Sequence, residues 1–275
     1  MSRVYKITVR EEPTSGGLAR DFSTEGAFSV RRRRYVLFVH GYSVSDPQAE
    51  AEYEHVANLF LKIAPSLRGQ MGMFLWPGDE HFFFTSKWAY PKQVENARDS
   101  APMFARYLQS LFDPADGFPQ IVIIAHSLGS RVVLEALDYV QPIARRRRIQ
   151  AFLTAAAYPV KNVPSLSAPK DTSVSVFHSR TDLALRAFRY LENSEAVGLR
   201  GQPRDVWDNS TEMKNYGHGS YSRSAEVHAM ICRAIGFSVP RSLAARSLTS
   251  RFPVPNRSLG ARRSIPTRGT ASKAP

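Results

Sequence analysis

The sequence predicts an α/β protein with a mostly parallel sheet, helices on both faces and a disordered basic C-terminal tail. Short apolar runs alternate with segments of helical periodicity, as in strands joined by crossover helices. Several of the runs are apolar on both faces, which is typical of parallel strands covered on both sides. The chain has 275 residues, of which 43% are hydrophobic and 11% aromatic, so it can bury a sizeable core.

The elements are expected to alternate along the chain. The runs that predict strands are β-branched or aromatic, and they lie at residues 35–40, 71–76, 121–125, 149–154 and 173–178. Segments with apolar residues at i, i+3 and i+4 predict helices, and they lie at residues 48–63, 95–112, 128–139, 183–191 and 222–235. Residues 11–30 have neither pattern and are predicted to be loop.

Three parts of the chain are distinguished by composition. Residues 1–30 are expected to be a strand and loop segment of the same domain as residues 31–238. Residues 239–275 carry eight basic residues and no acidic residue, and they are rich in Ser, Pro, Gly and Arg. Such a segment cannot bury enough apolar surface to offset its ordering entropy, so we expect it to be disordered.

Several classes of protein are excluded by what the sequence lacks. No apolar run approaches the roughly 18 residues that a membrane-spanning helix needs, and the first residues have no apolar signal-peptide core. Cys232 is the only cysteine, so we expect no internal disulfide. From these three observations we expect a cytoplasmic protein. There is no phosphate-binding loop and no metal-ligand spacing, so we also expect no cofactor or metal.

The stretch most informative about chemistry is IVIIAHSLG, at residues 121–129. A buried strand runs into Ser127, which has the small residues Ala125 and Gly129 at −2 and +2, and a helix begins at once. A serine at the apex of so sharp a turn needs small neighbours, because backbone passes close to backbone on both sides. The pattern is G-x-S-x-G with alanine in the first position, and it predicts a nucleophilic serine.

This sequence resembles the alpha/beta-hydrolase superfamily, and within it a bacterial group first described as a domain of unknown function. The resemblance spans about residues 33 to 236 and rests on five motifs in order. They are VHGY at 39–42, WPGD at 76–79, AHSLG at 125–129, RTD at 180–182 and the histidine at 218. It implies that residues 31–238 form an alpha/beta-hydrolase catalytic domain.

The chain order in this fold is serine, then acid, then histidine, and it assigns Ser127 as nucleophile, Asp182 as orienting acid and His218 as base. Asp182 follows a predicted strand, at the sheet edge where such folds place their sites. His218 lies in a Gly-rich loop before the last helix. The acid could instead be Asp205 or Asp208, and the base could instead be His126, His178 or His228.

Backbone N–H groups are expected to form the oxyanion hole. One belongs to Leu128, at the N-terminus of the helix after the nucleophile, where free donors and the helix dipole favour negative charge. The other is expected from Tyr42, with Ser43 as the alternative. Gly41 would let this loop turn toward the serine.

Two further features bear on the substrate and on partners. Phe82, Phe83, Phe84 and Trp88 are candidates for an apolar acyl pocket, or else pack their loop onto the core. Arginine runs at 31–34 and 145–148 each precede a predicted strand, so both are expected at the sheet edge opposite the catalytic one. They and the tail would contact anionic lipid or nucleic acid weakly, or serve as solvated strand flanks.

The sequence thus predicts a serine hydrolase that acts on a small-molecule ester through an acyl-enzyme on Ser127. A thioesterase or acyltransferase would use the same residues. A different alternative is a non-catalytic alpha/beta-hydrolase scaffold that binds a partner or an anionic surface through its arginines.

Overall fold

The computed structural model describes residues 5–11, 17–26, 34–42, 44–78, 86–111, 120–140, 148–165, 172–202, 207 and 209–239. Its strands are β1 (Tyr5–Arg10), β2 (Leu18–Glu25), β3 (Tyr35–Val39), β4 (Met71–Leu75), β5 (Gln120–His126), β6 (Arg148–Thr154), β7 (Thr172–His178) and β8 (Asn209–Glu212). They form one sheet in the order β2-β1-β4-β3-β5-β6-β7-β8. Every neighbouring pair is parallel except β1 and β2.

The helices of the described residues are α1 (Asp46–Ile63), α2 (Ser86–Ser110), α3 (Gly129–Tyr139), α4 (Leu183–Glu192), α5 (Val197–Arg200) and α6 (Ala225–Ala234). The crossover through α1 moves from β3 to β4 in one direction, and the crossovers through α2 and α3 move in the other. Because such crossovers are right-handed, α1 lies on one face of the sheet and α2 and α3 lie on the other. The contacts agree, since α1 packs against α6 and α2 packs against α3.

The core sits on both sides of the central strands. All residues of β3 and β4 are buried, and so is all of β5 except its first residue. This is why their sequences are continuously apolar rather than alternating. The predicted α/β class, with a mostly parallel sheet and helices on both faces, is confirmed.

Two local predictions differ from the structure. Residues 18–25 were expected to be loop but form β2, an edge strand that pairs only with β1. Its sequence, LARDFSTE, lacks an apolar run because one edge and much of its surface are exposed. The helix predicted from residue 95 begins at Ser86 and continues through Pro91 and Pro102.

The predicted tail lies outside the described residues from position 240 onward. In the part of the chain that the structure describes, we find no helix of the length and apolarity that a membrane crossing requires.

Candidate active site

The candidate site lies where the direction of the crossovers reverses, at the carboxyl ends of β3 and β5. Helices leave these two adjacent strands toward opposite faces of the sheet, which opens a crevice above them. Ser127 follows β5 directly and has a φ of 51°, in the left-handed region that non-glycine residues rarely adopt. Such strain is typical of a serine held at the apex of a strand-to-helix turn.

Two glycines let the backbone pass close to this turn. A Cβ on Gly129 would lie 2.2 Å from the carbonyl oxygen of His40 and 2.8 Å from that of Val39, so only glycine fits there. A Cβ on Gly41 would lie 3.0 Å from the Cβ of Ser127. The loop after β3 therefore runs directly beside the serine.

Asp182 and His218 converge on Ser127 from two other loops. The Nε2 atom of His218 lies 2.8 Å from Ser127 Oγ, and its Nδ1 lies 2.9 Å from Asp182 Oδ2. The Asp182 side chain is 0% exposed and that of His218 is 31% exposed. A carboxylate accepts hydrogen bonds only, so Nδ1 carries the proton and Nε2 is free to accept one from the serine hydroxyl.

The acid is held by its own helix. Asp182 is the N-cap of α4, and its Oδ1 accepts a hydrogen bond from the backbone N–H of Leu185 at 3.1 Å. Its other oxygen is thereby aimed at His218. The neighbouring Thr181 donates from Oγ1 to the carbonyl of Tyr216 at 3.1 Å, which ties the acid turn to the loop that carries His218.

The other histidines have different surroundings. His126 lies 3.2 Å through Nδ1 from Thr154 Oγ1, and its ring packs 5.0 Å from that of His218. Burial lowers the pKa of His126 to about 3, and its electrostatic interactions with the rings of His218 and His40 act in the same direction. His228 packs against Phe60 between α6 and α1, and burial lowers its pKa to about 4. Both rings are therefore neutral near pH 7.

His178 is buried at the end of β7, and burial lowers its pKa. Its ring lies beside Gly201, where a Cβ would come 2.9 Å from its Nε2. Of the alternative acids, Asp205 and Asp208 both lie outside the described residues.

The predicted oxyanion donors flank the serine. Leu128 is the N-cap of α3, at the positive end of the helix dipole. Tyr42 follows Gly41 on the loop beside Ser127, whereas Ser43 lies outside the described residues.

Buried Arg10 on β1 braces this loop, a contact that the sequence analysis did not find. It donates from Nη2 to the carbonyl of Val44 at 3.0 Å, and its Nε lies 2.8 Å from Asp46 Oδ1. Beside it, burial and the Arg10 charge lower the pKa of His40 to about 3, so this ring is neutral too. No local pattern indicates a partner so distant in sequence.

The side chains proposed for the acyl pocket lie outside the described part of the structure. Phe82, Phe83 and Phe84 lie outside the described residues, and Trp88 belongs to α2 but its side chain is not described. Other rings lie near the site instead. Tyr90 packs edge-on against Tyr42 at 6.3 Å and against Phe188 at 6.2 Å. The three rings form an aromatic surface that includes Tyr42, on the loop expected to supply an oxyanion donor.

A metal or thiol site has little support among the residues described. No group of three His, Cys, Asp or Glu side chains among them is placed to hold a metal ion. Cys232 is buried, and burial raises the pKa of its thiol to about 12.

The arginine runs are described only at their ends. Arg34 directly precedes β3 and Arg148 begins β6, so both lie at the amino-terminal edge of the sheet, opposite Ser127. Arg34 donates from Nε to Gln120 Oε1 at 2.6 Å and stacks on Phe237 at 4.7 Å. Arg34 thereby links the start of β3 to β5 and to the residues that follow α6.

A family model described as "Alpha/beta hydrolase of unknown function (DUF900)" matches residues 24–199. A search of curated proteins finds no match. Among solved structures, the chain is similar to an uncharacterised protein from Bacillus cereus ATCC 10987, at 11% identity and a TM-score of 0.42. That match covers 77% of this chain and 62% of the other, so the chain spans less than two thirds of that protein's length.

Matches to two other solved structures span nearly the whole of the matched proteins. The esterase PE8 is 14% identical, with a TM-score of 0.45, over 75% of this chain and 94% of that one. A putative cell surface hydrolase from Lactobacillus plantarum WCFS1 is 9% identical, with a TM-score of 0.47, over 79% and 98%.

Proposed function

Because the chain belongs to this family of alpha/beta hydrolases, as the resemblance predicts, we propose that it is a serine hydrolase that cleaves carboxylic esters through an acyl-enzyme on Ser127. The observation that carries the proposal is the chain of two hydrogen bonds from Ser127 Oγ through His218 to Asp182. A serine alcohol is a poor nucleophile near pH 7, and this arrangement supplies both the base and its orienting acid.

In the first half of the reaction, Ser127 Oγ attacks the ester carbonyl carbon while His218 Nε2 takes the hydroxyl proton. Asp182 accepts from Nδ1–H and stabilises the imidazolium. The N–H groups of Tyr42 and Leu128 donate to the oxyanion. The carbon–oxygen bond to the alcohol then breaks, and His218 gives its proton to the departing oxygen.

In the second half, water attacks the acyl carbon and His218 Nε2 takes a proton from it. The tetrahedral adduct collapses, the bond from the acyl carbon to Ser127 Oγ breaks, and the serine recovers its proton from His218. The products are a carboxylic acid and an alcohol. Both neutral and protonated His218 occur in each cycle, so its contact with Asp182 must persist throughout.

Labelling by a fluorophosphonate probe tests the proposal, because the probe reacts with a serine that a neighbouring general base activates. Intact-mass analysis should show one adduct on the wild-type protein and none on Ser127→Ala. His218→Ala should be labelled at least a hundredfold more slowly.

Ser130→Ala is the matched control, since this serine is three residues away and its buried hydroxyl has no hydrogen-bond partner among the described residues. It should be labelled like the wild type. A folded wild-type protein that takes no label would overturn the proposal and favour the non-catalytic scaffold. Equal labelling of wild type and Ser127→Ala would exclude Ser127 as the nucleophile.

A further inference from the structure

Helix α4 is apolar on two opposite sides. Its inner side carries Leu185 and Phe188, which are buried in the core. With about 3.6 residues per turn, Leu183, Ala187 and Tyr190 at i, i+4 and i+7 lie on the opposite side, away from the core. Leu183 is 72% exposed and Tyr190 is 74% exposed. A surface helix normally turns polar residues to water, so these three residues, which we call the α4 outer face, depart from the rule.

The exposed apolar surface of the described residues is concentrated on this helix. Four of their large apolar side chains are exposed, and three of these belong to α4, namely Leu183, Tyr190 and Leu191. The fourth is Tyr139 at the end of α3. Exposed apolar side chains that are scattered singly are normal, whereas a cluster on one surface is typical of a contact with another molecule.

Basic side chains flank the α4 outer face. Arg186 and Arg189 lie along one side of it, and Lys161 lies at the C-terminal end of the helix. Arg186 and Lys161 donate hydrogen bonds to backbone carbonyls. Arg189 donates to the hydroxyl of Tyr190 at 2.6 Å, and its guanidinium lies 4.7 Å from the centre of that ring. All of these acceptors are uncharged.

The acidic residues at the end of α4 are bonded to other cations. Glu192 lies 2.7 Å from buried Arg131, and Glu195 lies 2.6 Å from Arg200. Within the part of the chain that the structure describes, the three cations beside the α4 outer face have no carboxylate at ion-pair distance. The apolar face is therefore edged by positive charge that its own acids do not neutralise.

The α4 outer face begins beside the candidate active site. Leu183 directly follows Asp182, which caps α4 and holds His218. The helix starts at the carboxyl end of β7, and β5, β6 and β7 are parallel neighbours, so Ser127 lies at the same edge of the sheet. This surface is thus distinct from the two arginine runs, which lie at the opposite edge.

An apolar face edged by cations matches the surface of an anionic lipid bilayer. Leucine and tyrosine side chains enter the boundary between headgroups and acyl chains, while arginine and lysine stay level with the lipid phosphates. A second copy of the chain matches less well, because a two-fold contact would bring the same cations together. The charged backbone of a nucleic acid would match the cations but leave the apolar side chains without a partner.

From these observations we propose that the α4 outer face docks on the surface of an anionic lipid bilayer. Leu183 and Tyr190 enter the interface, and Arg186, Arg189 and Lys161 contact lipid phosphates. The contact uses none of the groups that the proposed ester chemistry needs. A protein that lacks the nucleophilic serine should therefore bind the bilayer as the wild type does.

Co-sedimentation of the full-length protein with vesicles tests the proposal. We expect binding to vesicles of equal parts phosphatidylcholine and phosphatidylglycerol, and weaker binding to phosphatidylcholine alone. The double variant Leu183→Ser/Tyr190→Ser should bind the anionic vesicles about tenfold less or weaker still, since it removes two apolar side chains from the interface. Tyr139→Ser is the matched control, because it removes the exposed apolar side chain that lies on another helix, and it should bind as the wild type does.

The charges are tested in the same assay. Arg186→Gln/Arg189→Gln should weaken binding to the anionic vesicles severalfold, because each cation near an anionic surface adds to the attraction. Arg68→Gln/Arg233→Gln removes the same charge at two other exposed positions and should have a smaller effect. A wild-type protein that does not bind anionic vesicles would overturn the proposal. So would equal binding by Leu183→Ser/Tyr190→Ser, since the binding would then belong to another basic part of the chain.

A fluorescent label locates the contact directly. Cys232 is buried and its thiol pKa is raised, so a cysteine introduced at the surface is labelled selectively. An environment-sensitive dye on Ala187→Cys should shift to the blue on anionic vesicles, and the same dye on Tyr139→Cys should not. No shift at position 187, or an equal shift at both positions, would contradict docking through α4.

Two other outcomes separate the alternatives. If the protein is a dimer that Leu183→Ser/Tyr190→Ser dissociates, and it does not bind vesicles, the face is a contact between copies of the chain and the bilayer proposal is wrong. Failure of the ester mechanism is distinguishable, since it abolishes fluorophosphonate labelling of the wild-type protein and leaves vesicle binding unchanged.

Discussion

Replacing Asp182 by asparagine should separate the chemistry of the site from the stability of the fold. Asp182 makes two bonds at once, from Oδ1 to the N–H of Leu185 and from Oδ2 to Nδ1 of His218. An asparagine keeps the shape but turns one oxygen into an NH₂ group, which can only donate. The helix N–H needs an acceptor, so the amide oxygen stays on Leu185 and the NH₂ group faces His218.

The consequence is a change of tautomer. With a donor opposite Nδ1, that nitrogen must accept, and the proton of the ring moves to Nε2, which faces Ser127. His218 can then no longer take the serine proton. In a triad of this kind the same change lowers kcat about 10⁴-fold, which corresponds to about 5.5 kcal/mol of barrier. Stability should change little, because asparagine caps a helix about as well as aspartate.

The assay is kcat on a chromogenic butyrate ester, paired with thermal unfolding of the same samples. Asp182→Ala is the control, since it removes the cap as well and should cost about 1–2 kcal/mol of stability. If Asp182→Asn keeps kcat within tenfold of the wild type, the carboxylate serves as a helix cap and does not set the tautomer. If it destabilises as much as Asp182→Ala, the amide orientation inferred from the Leu185 bond is wrong.

Three further predictions concern stability. Buried histidines with pKa values of about 3 to 4, against roughly 6.5 when unfolded, mean that the unfolded state binds more protons between about pH 6 and 4. The free energy of unfolding should therefore decrease as the pH is lowered through this range, by up to about 1.4 kcal/mol per pH unit for each histidine. Urea titrations at several pH values should show a smaller decrease for His228→Gln than for the wild type. Gly129→Ala should lower the free energy of unfolding by about 2–3 kcal/mol, because its Cβ would lie 2.2 Å from a backbone oxygen. The control Gly219→Ala, whose Cβ would have no atom within 4 Å, should change the free energy measured by thermal unfolding by no more than about 0.5 kcal/mol. Arg10→Met should lower the free energy of unfolding by about 3 kcal/mol, because it leaves the buried carboxylate of Asp46 without its arginine. A loss below about 1 kcal/mol in chemical denaturation would show that solvent screens this ion pair.

Much of the fold could be predicted because its signals are local. The strands β3 to β7 are short runs, several of them apolar on both faces, and each lies within two residues of its predicted position. The edge strand β2 was missed because half-exposed residues carry no such pattern. The early start of α2 was missed as well, since Pro91 interrupts the helical periodicity just before residue 95.

The sequence by itself determined the turn around Ser127, because the need for small residues there depends only on its immediate neighbours. The family's chain order, carried over by the resemblance, then named Asp182 and His218. Only the tertiary structure decided that both come within hydrogen-bond distance, since they are 36 residues apart and His218 is 91 residues from the serine. The same holds for Arg10 against the loop beside the serine. Such contacts depend on which loops the strand order brings to one sheet edge, and local spacing along the chain does not encode that convergence.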